Sequence, residues 1–507
     1  MIFKQRLLRY SSLSVLLLSV INPNICLAAS PLKGDTPKEQ YIQTIDYIAR
    51  TAKDIYCYWD IKKEQHQVDW QTIIDNAKRQ IDETTTFEQF QQILTQIAAG
   101  VHDGHVNYIY PGKWAFYAPI SVKKLPEGYY IAKVERDKMG PYSVDVEPGD
   151  KVVAVNNKPI DDYIEELGQT ISASTNHARQ SYAASALPAL NKFKEAPEDN
   201  LNLTVEKYLS KEVKTVSLPW VRYPNSSATN PELADVVQTK ILPGNIGVLT
   251  ITAMSFGEEP PPMIAYIKQQ LAGLKNTKAL IIDVRNNGGG WGEIGDSVVA
   301  HFITEKVKRY KAQLKNSYQA IYDRPELLER FDQTDPSVYE FSEWIDFDIQ
   351  PLAKDKPLYG KPVYVLTNER CFSACDTFVD SFSSNHIGKV LGAQTGGGTG
   401  YPLWFELPWH FGNFRFSILR GYSNHDRYLE GVGTIPDIYT YQTPRDLYHQ
   451  VDGEMIGAYN YVMNELSGTK DIHFAEKAGD LSANFALKQA EIVPYYLEEA
   501  YWQKVQQ

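Results

Sequence analysis

The apolar run Pro362-Val363-Tyr364-Val365-Leu366 breaks at the polar turn Thr367-Asn368-Glu369-Arg370. Small and apolar residues then recur at helical spacing, at Ala374, Thr377, Phe378 and Phe382. The first pattern is that of a short β-prone strand and the last that of a helix. The chain is therefore constrained to a strand, a turn and a helix, with Ser373 at the helix start. Such a start favours negative charge, and the backbone N–H that follows a nucleophilic serine can hold a developing oxyanion. Taken alone, the unit equally describes a serine that caps an ordinary helix. Partners elsewhere in the chain must decide between the two.

Upstream, Gly247–Thr252 is apolar and β-branched, Met263–Leu274 is helical, and Ala279–Val284 is a continuous apolar run. Strand, helix and strand in succession predict α/β architecture. The run ends in Asp283-Val284-Arg285-Asn286-Asn287-Gly288-Gly289-Gly290, where glycines let backbone N–H groups approach a ligand closely. No Gly-Lys-Ser/Thr follows and the dinucleotide spacing fails, so an oxyanion site fits this segment better than a phosphate site.

From Pro37 to Gly100 the apolar spacing is helical. Residues 30–116 read as a helical N-terminal domain that ends in His102-Asp103-Gly104-His105. Two histidines and an aspartate in a turn suit a general base, a metal site or a polar loop. No HExxH or CxxC pairing supports zinc, so no metal and no organic cofactor is expected. Residues 117–220 show short alternating runs between Gly and Pro turns, and Glu147–Ile160 resembles the turn-and-strand core of a PDZ domain. Residues 221–447 form the α/β unit, within which the polar, aromatic segment 304–355 reads as an insertion or flap. Residues 448–507 return to a helical pattern.

Lys4, Arg6 and Arg9, the apolar run Leu13–Ile21 and the small residues at Ala28-Ala29 read as a secretory signal peptide over residues 1–29. No later stretch is long and apolar enough to span a bilayer. A periplasmic or secreted protein is expected. Cleavage would take the formal charge from −11 to −14, which argues against nucleic acid as a partner. Cys57, Cys371 and Cys375 would remain. The last two flank Ser373 at i,i+4 spacing, either as small buried residues or as a disulfide, and the sequence leaves both open.

Together, Asp283–Gly290 (D-x-R-x-N-x-G-G), Ser373–Asp376 (S-A-x-D), the glycine loop Thr395–Gly400 and Glu430–Asp437 (E-G-x-G-x-x-P-D) resemble one family in content and order. It is the serine peptidase family of the C-terminal processing (tail-specific) proteases and the tricorn core protease. The resemblance spans roughly residues 105–437 and implies a crotonase-like (ClpP-like) α/β catalytic domain. Processing proteases of the family pair their serine with a lysine in the following glycine loop, and here that position is Gly398. Tricorn-like relatives use a histidine from an Asp-Gly-His segment and a late glutamate, which Asp103-Gly104-His105 and Glu430 match.

The resemblance thus implies a Ser373, His105 and Glu430 triad, with an oxyanion hole from the N–H of Ala374 and of Gly289, Gly288 being the neighbouring candidate. Serine is a poor nucleophile at neutral pH. A histidine can take its proton and return it to the leaving amine, while a carboxylate steadies the imidazolium. The expectation is a serine endopeptidase acting on peptides or proteins through an acyl-enzyme. The alternative is a non-enzymatic peptide- or lipophile-binding protein on the same fold. Substrate preference and oligomeric state are not legible in the sequence.

Overall fold

The computed structural model describes residues 34–110, 116–140, 144–190, 200–222, 232–257 and 259–468. The expected signal peptide and residues 469–507 lie outside these ranges.

The N-terminal region is four helices: α1 (Pro37–Ile55), α2 (Trp59–His66), α3 (Trp70–Arg79) and α4 (Phe87–Gly100). Their starts are written locally. Thr36 and Glu39 form a capping box with Pro37 in the first turn, Asp69 caps α3, and Thr86 with Gln89 caps α4. The apolar faces do not close on themselves. Ile45, Ile48, Phe90 and Leu94 share one buried cluster with Leu403, Phe405, Phe414 and Phe416, which lie on the antiparallel strands Pro402–Glu406 and Asn413–Ser417. Each fully buried large apolar side chain contributes about 1.5–3 kcal/mol, so this shared core ties residues 45–94 to residues 403–416. The helical region is thus continuous with the C-terminal half.

The next region is an antiparallel sheet in the order Ile120–Leu125, Gly128–Val134, Lys151–Val155, Leu201–Glu206, Val213–Leu218. Leu201–Glu206 alternates buried and half-buried residues, the signature of a sheet with one face on a core. Two helices, Ile160–Gly168 and Asn176–Ala186, cover that core.

The C-terminal half is built on a six-stranded sheet in the order Val237–Leu242, Ile246–Ile251, Ala279–Asp283, Val363–Thr367, Lys389–Gly392, Ile438–Tyr439. The first pair is antiparallel and every other pairing is parallel. Alternate residues of one strand serve two cores. Leu280 and Ile282 pack under the helices Pro261–Gly273, Gly292–Val299 and Ala374–Ser384, whereas Ala279 and Ile281 pack against the helix Gly453–Ser467. Burial on both faces explains why these strands read as unbroken apolar runs. Segment 304–355 is more than a flap: its strand Val307–Leu314 pairs with both Ile345–Ile349 and Leu419–Ser423.

Candidate active site

Ser373 stands past the C-terminal end of the central strand Val363–Thr367 and caps the helix Ala374–Ser384. Its backbone sits at φ 62°, ψ −118°, a conformation that costs a non-glycine residue about 1–3 kcal/mol and persists only where its surroundings impose it. The surroundings are visible. The Ser373 N–H donates to an Asp376 carboxylate oxygen at 3.1 Å and to the Gly398 carbonyl at 3.1 Å. Cys371 and Cys375, on either side of it, form a disulfide. Asp376 also accepts from the N–H groups of Gly397 (3.1 Å) and Gly398 (2.9 Å), which binds the glycine loop to the serine turn. Burial pushes the Asp376 carboxyl up to about 7 against the pull of these donors.

His105 leaves α4 in a tight turn in which the Asp103 carboxylate accepts the His105 backbone N–H at 2.7 Å. Its Nε2 lies 2.9 Å from Ser373 Oγ. The ring is buried, which depresses its pKa from 6.5 to about 4 despite Asp103. The imidazole is therefore neutral near pH 7, as a proton acceptor must be. Other histidines are engaged elsewhere: His102 stacks on His66 with centroids 4.7 Å apart, and exposed His410 pairs with Glu406.

Two buried carboxylates flank the far side of the ring. Asp103, His105 and Glu430 each offer an atom within 4.8 Å of the others. Asp103 Oδ1 is 3.8 Å from His105 Nδ1, and Nδ1 itself has no hydrogen-bond partner among the described residues. The other Asp103 oxygen accepts from Tyr56 Oη (3.0 Å) and Ser417 Oγ (2.9 Å). Glu430 accepts Lys62 Nζ at 2.6 Å and the Thr399 N–H at 3.1 Å. These three residue types can ligate a cation, but the Lys62 ammonium already supplies the positive charge a cation would bring.

The glycine turn after the strand Ala279–Asp283 closes the site. Gly289 has φ +96°, and a Cβ there would stand 2.6 Å from the Phe372 carbonyl oxygen and 2.8 Å from Ala374 N, so only glycine lets the two turns meet. The Gly289 N–H donates to Asn287 Oδ1 at 2.9 Å, whereas the space beside Gly288 is open. Ser373, Ala374, His105, Glu430 and Gly289 are thus brought together, whereas the N–H of Gly289 is taken up by Asn287 and Gly288 stands clear of the others. Arg285 of the same motif faces away, holding Asp283, Asp452 and Glu454 in one ionic cluster.

Several contributors carry no sequence signal. Lys62, Tyr56 and Tyr58 come from the helical region. Tyr58 Oη contacts Thr399 Oγ1 at 2.7 Å and accepts the Gly421 N–H at 2.8 Å. From the PDZ region, Ser174 Oγ accepts the Gly104 N–H (2.9 Å), Thr175 donates to the Gly396 carbonyl (3.2 Å) and His177 Nε2 meets the Thr395 carbonyl (2.9 Å). That region is a wall of the site as well as a module of its own.

Residues 245–440 match the family model described as Peptidase family S41, and residues 114–229 match that of the PDZ domain. Comparison with curated proteins gives no match. Among solved structures the chain is similar to mature CPAF, with 18% identity and a TM-score of 0.70 over 86% of this chain and 99% of that one. It is likewise similar to mature CPAF complexed with lactacystin, with 18% identity and a TM-score of 0.68 over 85% and 98%. The photosystem II D1 C-terminal processing protease matches over 80% and 93%, with 13% identity and a TM-score of 0.42. The likeness to the two mature CPAF structures speaks for the fold alone.

Proposed function

Because the chain belongs to peptidase family S41 through residues 245–440, and is a serine-type peptidase of peptides or proteins, we propose that it is an exported endopeptidase. Its nucleophile is Ser373, its general base is His105, and its supporting carboxylate is Glu430, with Asp103 beside it. The observation that carries this reading is the 2.9 Å contact between Ser373 Oγ and His105 Nε2. Nucleophile and base are within transfer distance before any substrate arrives.

In the reaction, Ser373 Oγ bonds to the scissile carbonyl carbon as its proton passes to Nε2. The carbonyl oxygen takes up the negative charge and is held by the Ala374 N–H and by the Gly288–Gly289 turn. The C–N bond then breaks, and the Nε2 proton leaves on the amine. Water, deprotonated by the same nitrogen, releases the acid product from the Ser373 ester. Positive charge on the imidazole is met by Asp103 and Glu430, both buried. A histidine base sets the chain beside the tricorn-like relatives, apart from those with a serine–lysine dyad. Export rests on the pattern of residues 1–29, and N-terminal sequencing of protein from cell fractions tests it.

The catalytic reading is tested by labelling with a serine-directed fluorophosphonate and by casein hydrolysis. Ser373→Ala is expected to lose both by several powers of ten while folding normally. His105→Ala should lose nearly as much, and the double variant little more, because a nucleophile and its base act as one unit. Ser373→Ala protein that keeps a tenth of wild-type turnover sinks the assignment.

A further inference from the structure

Lys62 lies on the short helix α2, in a stretch, Ile61-Lys62-Lys63-Glu64-Gln65-His66, that reads as a solvated helix face. Lys63 and Glu64 are indeed exposed, yet the Lys62 side chain is 0% exposed and its Nζ is 2.6 Å from Glu430 Oε1, also 0% exposed. Burying an ammonium costs several kcal/mol unless a partner compensates, and this one stands against one of the two carboxylates behind His105. The neighbouring Gln65 fixes the same residue from behind, donating to the Glu430 carbonyl at 3.0 Å.

We propose that Lys62 is a positioning residue of the peptidase reaction: by pairing with Glu430 it holds that carboxylate in place and leaves the carboxylate pair behind His105 with a net charge of one. The proposal rests on the catalytic reading above.

Two anionic carboxylates, Asp103 and Glu430, would carry two negative charges within 4.8 Å of the imidazole. With the Lys62 ammonium the sum is a single negative charge, which matches the single positive charge that appears on His105 when it takes the Ser373 proton. Burial first, and then Asp103, push the Glu430 carboxyl upward, and Lys62 only partly pulls it back; what holds the anion is the 2.6 Å contact with an ammonium that is itself fully buried. Without Lys62 the buried pair would relieve itself by protonating Glu430. A protonated Glu430 no longer accepts as an anion from the Thr399 N–H, the bond that ties it to the glycine loop at 3.1 Å.

The remaining charged or titratable groups near the ring are few. Arg415, on Asn413–Ser417, and Lys62 both disfavour a proton on His105, whereas Asp103 favours it. Tyr56 and Tyr58 face the carboxylates as neutral phenols, kept so by burial, and His66 on α2 is held neutral by burial and by Lys62.

The test is the second-order rate of fluorophosphonate labelling across pH 4–9, with thermal melting, for wild type, Lys62→Met, Glu430→Gln, Lys62→Met/Glu430→Gln and Ser373→Ala. Lys62→Met is expected to label at least about tenfold more slowly at pH 7, with its acid limb displaced to higher pH because Glu430, left without its cation, has to lose a proton before it can serve. The double variant should match Glu430→Gln within roughly twofold, since Lys62 acts through Glu430. A merely structural lysine would lower the melting temperature and leave the limb where it was.

If Lys62→Met does not fold, the double variant, which strands no charge, carries the comparison. A double variant more than about tenfold slower than Glu430→Gln overturns the proposal. So does Lys62→Met with the wild-type rate and limb, while an unlabelled Ser373→Ala leaves the catalytic reading standing. Labelling of Ser373→Ala at the wild-type rate instead overturns the catalytic reading, and the proposal with it.

Discussion

The ring of Phe372 fills the space into which a side chain at Gly398 would grow: a Cβ added there would fall onto Cε2 and Cζ of the ring. The same ring lies against His105, with centroids 4.6 Å apart, and a Cβ on Gly104 would meet it at 2.5 Å. Glycines at 104 and 398 are thus two halves of one slot. Phe372 is an aromatic wall for the imidazole, and it takes the room beside Gly398, the position in the glycine loop that the family resemblance assigns to a lysine in serine–lysine relatives.

Gly398→Lys should therefore fail to create such a dyad. Its Cβ must displace Phe372, and overpacking of this kind costs about 1–3 kcal/mol. Fluorophosphonate labelling should fall by at least about tenfold and the melting temperature should drop. Adding Phe372→Ala should recover stability but not rate. Wild-type labelling by Gly398→Lys would refute the account.

The pH dependence follows from the buried histidines. His105 is depressed to about 4, His66 to about 4 and His102 to about 3, each from 6.5 and each chiefly by burial. Below pH 6.5 the unfolded chain binds these protons and the folded one does not, so their contribution to stability is intact above 6.5 and is lost as pH falls towards 3. His105 itself should bring an acid limb only near 4, whereas Asp376, whose carboxyl burial pushes up to about 7, loosens the serine turn at higher pH; circular dichroism separates titration from unfolding. An acid limb at pH 6.5 that persists in folded Asp376→Asn protein would contradict the burial of His105.

Arg285 donates to Asp283, Asp452 and Glu454 at 2.7–2.9 Å. Arg285→Met removes the cation and leaves the carboxylates behind, with only Lys123 still on Glu454. A loss of about 3–5 kcal/mol of unfolding free energy in urea titration is expected, as for any broken buried pair. A change under 1 kcal/mol would show that solvent reaches the cluster.

The Cys371–Cys375 bridge closes a loop of sequence separation 4, which in the chain-entropy account stabilises by about 2 kcal/mol. Because Ser373 sits inside that loop at φ 62°, the Cys371→Ala/Cys375→Ala variant should also label severalfold more slowly. Thiol titration of denatured wild type should find Cys57 free, with Cys26 where residues 1–29 are retained, and Cys371 and Cys375 unreactive.

The parallel strands were legible because burial on both faces removes polar residues from them, and Ser373, His105 and Glu430 were legible because each sits in a short motif of turn-forming neighbours. Lys62 was not: one buried lysine in a polar helix is invisible to periodicity, since its reason is a partner 368 positions away. The helices Ile160–Gly168 and Asn176–Ala186 were hidden by the Gly and Pro turns around them. Phe372 carries no signal in the sequence, because the space it fills is defined by two glycines far apart in the chain.

The distance between partners has a consequence for how the enzyme comes into being. His105 and Ser373 are 268 residues apart, and a chain is made from its N-terminus at about 5–20 residues per second. His105 and Lys62 leave the ribosome first, Ser373 and Glu430 later. No chain that stops short of residue 430 holds the proposed set, so on this reading the growing polypeptide stays inert towards its neighbours and itself until Glu430 has been made.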